Sequence, residues 1–371
     1  MDIQQAIGRS SLCLLSLLGL TLLASPVAAQ VFDSGPSDPA LFDTVINVPT
    51  DPNIGADESI GGDGLTTQLN LSDGGDVGNR VTVQSGSEVN ISGGEVGNTL
   101  TVASGGEVNI SGGTTSSRLT AQSGSEVNIS GGAMSGFFVS ETGSVVNITG
   151  GSTDFPFSVG RLLVSGEVNI SGEAFVPSVQ TASGSVVNIS GGSVGTCDSV
   201  SGSVVNVSGG SVDVVFAASG SEVNVSGGST TIFAGSGSVV NLSVQDAFLD
   251  GLLISGLSRD SAVTIPERGG VLTGWLADGA DFSFELNPAP VNLNLRQDFF
   301  DPDATLTVTL VPPPGVLVGD VNFDGVVNFG DIPAFTAVLT RGIFQAEADI
   351  DQSHEVNFLD IPEFIAVLMA Q

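Results

Sequence analysis

The sequence predicts a mainly β protein: a parallel β-solenoid of about ten coils with terminal β caps, followed by a small all-α module. Three observations predict it. A phrase close to Val-Asn-Ile-Ser-Gly-Gly recurs through residues 68–243, apolar and polar residues alternate around each copy, and a different, two-fold repeat occupies residues 316–371. A short unit repeated at a nearly fixed period is typical of stacked coils that bury a continuous core.

One asparagine in each copy marks the period of the repeat. The spacing between successive asparagines runs from 17 to 22 residues and is most often 19. The positions are Asn70, Asn90, Asn109, Asn128, Asn147, Asn169, Asn188, Asn206, Asn224 and Asn241. Each is followed two positions later by Ser or Thr, which also makes it a formal glycosylation sequon. We favour a column of Asn side chains that hydrogen-bond from coil to coil.

Within one coil, apolar residues alternate with polar ones as they do in strands with one buried face. Val89 and Ile91 show this pattern, and a preceding segment repeats it. Gly93 and Gly94 follow, because glycine readily adopts the backbone angles of a sharp corner. A third short segment around Val96 is predicted to close the circuit.

The N-terminal residues divide into two segments. Residues 1–29 combine an early Arg9 with an apolar run and small residues at the end, which is typical of a secretory signal peptide. Residues 30–67 are acidic and rich in turn formers, and we expect part of this segment to cap the first coil. The mature chain is therefore expected to be secreted or at the cell surface, with no membrane span.

Residues 244–311 lack the repeat and alternate apolar runs with Gly, Pro and Asp-Gly turns. This composition predicts a β-rich C-terminal cap of several antiparallel strands. We expect Trp275, the only Trp of the chain, to lie in the core of this cap. Residues 312–315 form a Pro-rich linker.

The chain is strongly acidic. It has 40 acidic residues against 8 basic ones, all Arg, and a formal net charge of −32. Such a charge repels phosphate backbones and anionic lipid surfaces, which excludes nucleic acid as a partner. Calcium, basic partners and neutral glycans remain compatible with it.

Residues 316–371 contain two matching halves at an offset of 29 residues. In the first half, oxygen-bearing side chains alternate along a loop with Gly325 at its sixth position, which is the pattern of a calcium loop. Calcium is a hard ion that prefers oxygen ligands. The predicted ligands are Asp320, Asn322, Asp324, Val326 through its carbonyl, Asn328 and Asp331.

The second half predicts another such loop. Its ligands are Asp349, Asp351, Ser353, Glu355 through its carbonyl, Asn357 and Asp360. His354 stands where the first loop has Gly, which predicts a strained or weaker second site. Apolar residues at helical spacing follow each loop, with Pro333 or Pro362 in the first turn. We expect the two helices to pack together and their folding to depend on a cation.

These two loop–helix units resemble the type I dockerin domain over residues 316–371. Dockerins of cellulosomes attach extracellular enzymes to cohesin modules, so the resemblance implies calcium-dependent docking to a cohesin-like or other extracellular protein module. Positions ten and eleven depart from the cellulosomal pattern. Phe329 with Gly330, and Phe358 with Leu359, stand where Ser and Thr are common, which implies a different kind of partner.

The sequence therefore predicts an exported, bacterial-type structural or surface protein without catalytic activity. Parallel β-helices also include polysaccharide lyases and glycoside hydrolases, so an extracellular polysaccharide-active enzyme carrying a dockerin is the first alternative. Asp154, Asp198 and Asp213 are its isolated candidates, but no cluster of acids with Arg, Lys or His interrupts the repeat. A glycan-binding adhesin is the second alternative. Cys197 is predicted to be a small apolar filler in a coil.

Overall fold

The structure, a computed structural model, describes residues 42–50, 53–151, 161–257, 261–289, 297–311, 317–341, 345, 347–353 and 355–370. The predicted signal peptide, the Pro-rich linker, Asp154 and His354 lie outside the described residues. As predicted, the chain is mainly β and forms a parallel β-solenoid of about ten turns. The described residues fall into two compact units, which divide at Val146, with Gly151 in the first unit and Asn147–Gly150 in the second.

In the first unit, strands from successive coils join three parallel stacks. The strands are β1 (Thr44–Val48), β2 (Ser59–Ile60), β3 (Thr67–Leu71), β4 (Asp76–Val77), β5 (Val81–Val83), β6 (Glu88–Ile91), β7 (Glu95–Val96), β8 (Thr99–Val102), β9 (Glu107–Ile110), β10 (Thr114–Ala121), β11 (Glu126–Ile129) and β12 (Ala133–Ser140), and β13 (Val145–Ile148) crosses the boundary. The Asn-bearing strands β3, β6, β9 and β11 form one stack. The predicted third segment around Val96 is β7, which pairs with β4 and with the start of β10.

The pairing is parallel and in register. Asn90 lies beside Asn109, and Ile91 lies beside Ile110, on neighbouring coils. Because like residues stack on like, the inward Val, Leu and Ile side chains form columns that neighbouring coils bury almost completely. This confirms the alternation that the sequence predicted.

The outward Asn side chains form the predicted column. The amide Nδ2 of each donates to Oδ1 of the Asn one coil earlier, over 2.7–3.1 Å. The donor–acceptor pairs in the first unit are Asn70–Asn47, Asn90–Asn70, Asn109–Asn90 and Asn128–Asn109. Those in the second unit are Asn169–Asn147, Asn188–Asn169, Asn206–Asn188, Asn224–Asn206 and Asn241–Asn224. Half-buried amides are thereby paired along each unit.

The second unit continues the same stacking with longer strands. They are β14 (Leu162–Val164), β15 (Glu167–Ile170), β16 (Phe175–Thr181), β17 (Val186–Ser199), β18 (Val204–Ala217), β19 (Glu222–Ala234), β20 (Val239–Leu249), β21 (Leu252–Leu253), β22 (Ala262–Thr264), β23 (Val271–Leu276), β24 (Asp281–Glu285), β25 (Phe299–Phe300) and β26 (Thr305–Leu310). β17 pairs with β18, and β18 with β19, in parallel with register shifts at the corners. Cys197 is fully buried in β17, which agrees with its predicted role as a filler.

The C-terminal cap differs in part from the prediction. β20, β23 and β24 form the expected antiparallel sheet. β25 and β26, however, return to the stack and pair in parallel with β19 and β20. Thr307 of β26 donates its hydroxyl to Oδ1 of Asn241 over 2.7 Å, so it occupies the position of the next Asn. β22 then pairs antiparallel along the other side of β26.

The expected core position of Trp275 is wrong. This side chain is 45% exposed, whereas its neighbours Leu272 and Leu276 on β23 are buried. The period of two along a strand explains the difference, since Leu272 and Leu276 face the coil interior and Trp275 faces the other way. A run of apolar residues therefore contained one outward aromatic residue.

The C-terminal segment contains two helices of ten residues, α1 (Ile332–Arg341) and α2 (Asp360–Met369), and a short 3₁₀ turn at Phe329–Asp331. Phe335 of α1 and Phe364 of α2 stack with ring centroids 4.2 Å apart. Both rings belong to a small buried apolar cluster that also includes Val338 and Leu368. The two helices therefore pack against each other, as the sequence predicted.

Candidate metal centre

The two predicted loops have the same local structure. Residues 320–331 and residues 349–360 repeat one set of side chain to backbone hydrogen bonds at an offset of 29 residues. The fourth position of both loops is left-handed, at Phe323 with φ 62° and at Gln352 with φ 55°. Two stretches of different sequence thus fold alike because their Asp and Asn residues make the same backbone contacts.

In the first loop, the two terminal carboxylates organise the backbone. Asp331 is fully buried and accepts from the N–H groups of Asn322 (3.0 Å) and Asn328 (2.9 Å). Asp320 accepts from the N–H groups of Asp324 (3.0 Å) and Gly325 (2.9 Å). These bonds hold oxygen-bearing side chains around one loop.

In the second loop, Asp360 has the corresponding role. It is fully buried, and Oδ1 accepts from the N–H groups of Ile350 (2.7 Å) and Asp351 (3.2 Å). Its Oδ2 accepts from the N–H of Asn357 (2.8 Å). Burial raises the pKa of Asp360, with a smaller contribution from the negative charge of Asp351, while the backbone N–H groups act in the opposite direction.

Three carboxylates converge in this second loop. One oxygen atom each from Asp349, Asp351 and Asp360 lies within 4.8 Å of the others. Within the part of the chain that the structure describes, this is the group of acidic side chains close enough to share one metal ion. Three like charges at this spacing repel one another, and a hard cation is the group that such oxygen atoms bind.

The other predicted ligands are placed in the same loops. Asn322 Nδ2 donates to Asp324 (3.1 Å), and Asn328 Nδ2 donates to the carbonyl of Val326 (3.3 Å). In the second loop, Ser353 Oγ donates to the carbonyl of Glu355 (3.2 Å). The oxygen atoms that could ligate a cation are therefore held by bonds within each loop.

Sequence reasoning missed the side chain of Gln352. It is 8% exposed and its Oε1 atom is buried without a hydrogen-bond partner, whereas Phe323 at the matching position is 67% exposed. The exchange of Phe for Gln between the two halves was the available signal. The halves are thus alike in backbone and different in what they bury.

The acids considered for catalysis on the solenoid do not meet across the strands. Asp198 of β17 pairs with Phe216 of β18, three residues along the strand from Asp213. Burial raises the pKa of Asp198 and nearby Arg161 opposes this shift. Burial, with a smaller effect of Asp198, also raises the pKa of Cys197 to about 12, which keeps this thiol protonated.

Comparison of the chain with models of protein families, with curated proteins and with solved structures found no match. Among the described residues, no helix is both long enough and apolar enough to cross a membrane.

Proposed function

We propose that this protein is an exported, non-catalytic structural or surface protein, in which a β-solenoid is attached to an extracellular assembly by a calcium-dependent, dockerin-like C-terminal segment. The observation that carries the proposal is the repetition of one hydrogen-bond pattern in the two acidic loops. A solenoid with a continuous apolar interior supports a structural role. A paired-loop segment supports attachment.

Calcium fits the donor set of both loops. Asp320, Asn322, Asp324, Asn328, Asp331 and the carbonyl of Val326 would hold it in the first loop. Asp349, Asp351, Ser353, Asn357, Asp360 and the carbonyl of Glu355 would hold it in the second. All of these ligands are oxygen atoms, which is what calcium prefers. When bound, the ion would neutralise the carboxylates that otherwise repel one another.

The surface around the loops supports docking. Phe329 and Phe358 follow the same position of the two loops and are 67% and 78% exposed, and Leu359 is 70% exposed. Large apolar side chains on a soluble surface are typical of a protein–protein interface. An apolar-surfaced extracellular module, cohesin-like in its use of both loops, is therefore the proposed partner.

Calorimetric titration of the full chain with calcium tests the metal step. We expect saturable binding that Asp349→Asn and Asp320→Asn each weaken by about tenfold or more at their own loop, because affinity follows the number of charged ligands. Glu363→Gln removes an exposed acid outside both loops and is the matched control. Equal calcium uptake by the double loop variant would rule out these ligands.

Binding to immobilised cohesin modules, with calcium or with a chelator, tests the docking step. We expect capture only with calcium, and a loss of capture when Phe329 and Phe358 are both changed to Ser. Phe137→Ser, at an exposed Phe of the solenoid, should leave capture unchanged. Capture that persists in chelator contradicts the proposal.

A further inference from the structure

The outer face of the C-terminal cap carries an aromatic residue among polar ones. On the antiparallel sheet β20–β23–β24, Trp275 lies opposite Asp246 on one side and Asp281 on the other. Thr273 lies opposite Phe248 and Ser283 in the same way. Directly opposite residues share one face of a sheet, so these side chains belong to one surface. The buried Leu272 and Leu276 lie on the other face.

This surface contains a depression, which we call the Trp275 depression. It has a volume of about 290 Å³. Its lining consists of Phe248, Thr273, Gly274, Trp275, Asp281 and Phe282. A second depression of about 150 Å³ shares Asp281 and Phe282 with it and adds the hydroxyl-bearing Ser229, Thr230 and Ser283. Ligand sites of small molecules combine aromatic walls with a few polar groups in this manner.

The chemistry of the lining selects the ligand. An anionic ligand would meet Asp281 and a chain with a net charge of −32. An organic cation is best held between several open ring faces, but here Phe282 is 8% exposed and Phe248 is half-buried. A sugar ring has an apolar face of C–H groups and a rim of hydroxyls, which matches one open Trp ring beside a carboxylate and hydroxyl groups.

We propose that the Trp275 depression binds a neutral oligosaccharide. One sugar ring stacks on the indole of Trp275, and its hydroxyls donate to the carboxylate of Asp281 and bond with the hydroxyl of Thr273. The adjoining hydroxyl-lined depression takes the next sugar. This site is separate from the calcium loops, so it adds a glycan contact to the proposed structural role.

The composition of the chain supplies a direct readout. Trp275 is the only Trp and the chain has no Tyr, so indole fluorescence reports on this residue alone. We would titrate the full chain with cellohexaose, xylohexaose and mannohexaose, and with oligogalacturonate and tetramethylammonium as anionic and cationic probes. We expect at least one neutral saccharide to shift the emission and to protect Trp275 from acrylamide quenching. The two charged probes should have no effect.

Calorimetry of variants then locates the site. We expect Trp275→Ala to abolish the binding heat and Asp281→Ala to weaken binding by about tenfold, because each removes one of the two main contacts. Phe358→Ala, at an exposed aromatic residue of the C-terminal segment, should bind the saccharide as the unchanged chain does. Binding should also persist in chelator, which separates this site from calcium-dependent docking.

Three results would overturn the inference. The first is the absence of any emission change with all three neutral saccharides. The second is full saccharide binding by a Trp275→Ala variant whose circular dichroism is unchanged. The third is an emission shift with tetramethylammonium alone, which would assign the depression to organic cations.

Discussion

In the solenoid, a repeat of about nineteen residues is buried between copies of itself, whereas in residues 317–370 a repeat of 29 residues meets one other copy. The coils are held by aliphatic columns such as Ile91 beside Ile110 and by paired Asn amides. The C-terminal segment has a small apolar cluster, and its loops are built around the buried carboxylates of Asp331 and Asp360.

The difference teaches which solution conditions each region depends on. Apolar contacts between stacked coils are indifferent to calcium and to modest changes of salt. Buried carboxylates are stable as charged groups only when hydrogen bonds or a cation compensate them. We therefore expect one chain to contain a region that needs no ion and a region that does.

Removal of calcium should have the largest effect and should separate the two regions. In chelator, we expect the helices α1 and α2 to lose protection while the coils keep theirs, because an ion at one hundred times its dissociation constant stabilises a fold by about 2.7 kcal/mol. Hydrogen exchange of peptides from 317–341 and 347–370, compared with peptides from 161–257, measures this. Unchanged protection of the helices would remove the distinction.

Truncation of an inward coil residue should destabilise the solenoid alone. Ile110 is 2% exposed, and Ile110→Ala should lower the free energy of unfolding by about 2–5 kcal/mol through lost burial and a cavity. Denaturant unfolding with and without calcium checks it. We expect the same loss in both conditions, and a loss that calcium repairs would contradict the comparison.

Acidification should strengthen one contact of the cap. Burial raises the pKa of Asp298 from 3.8 to about 6, although its carboxylate accepts from the N–H groups of Ile232 and Glu285. Because the folded pKa is above the unfolded one, this group stabilises the fold most below the unfolded pKa, and the contribution is lost as pH rises through about 6.

The matching variant isolates this group. The free energy of unfolding of Asp298→Asn, relative to the unchanged chain, should rise by about 2 kcal/mol between about pH 4 and pH 8. Urea unfolding at several pH values measures the difference. A difference that stays constant with pH would show that Asp298 does not titrate in this range.

Loss of one rung of the Asn column should have the smallest effect. Asn188→Ala removes the bonds to Asn169 (2.8 Å) and Asn206 (2.7 Å), and the half-exposed partners can bind water instead. We expect a loss of about 1–2 kcal/mol in the free energy of unfolding. Ser190→Ala on the same strand is the control, and an equal loss there would argue against a specific contribution of the column.

The repetitive part of the fold was predictable because one physical rule, like residues stacked on like, sets both the sequence period and the register. The Asn column, the burial of Cys197 and the third strand of the coil followed from it. The return of β26 to the stack did not, because Thr307 takes the Asn position and lies 66 residues after Asn241.

The candidate site was predictable as a set of residues and less so as an arrangement. Spacing placed the loop ligands correctly on two similar loops. It could not show that the carboxylates of Asp349, Asp351 and Asp360 converge, since that depends on backbone bonds to Asp360. Exposure of Trp275 was missed for a related reason, because the facing of a residue depends on its pairing with two other strands.

The antiparallel course of β22 along β26 bears on self-association. A second molecule could lengthen the stack at this end only by adding a strand that runs in the same direction as β26. At Thr307–Thr309 that edge is already taken by a strand of opposite polarity. The protein therefore carries its own terminator against end-to-end polymerisation at this position, where a bare parallel edge would invite fibre growth.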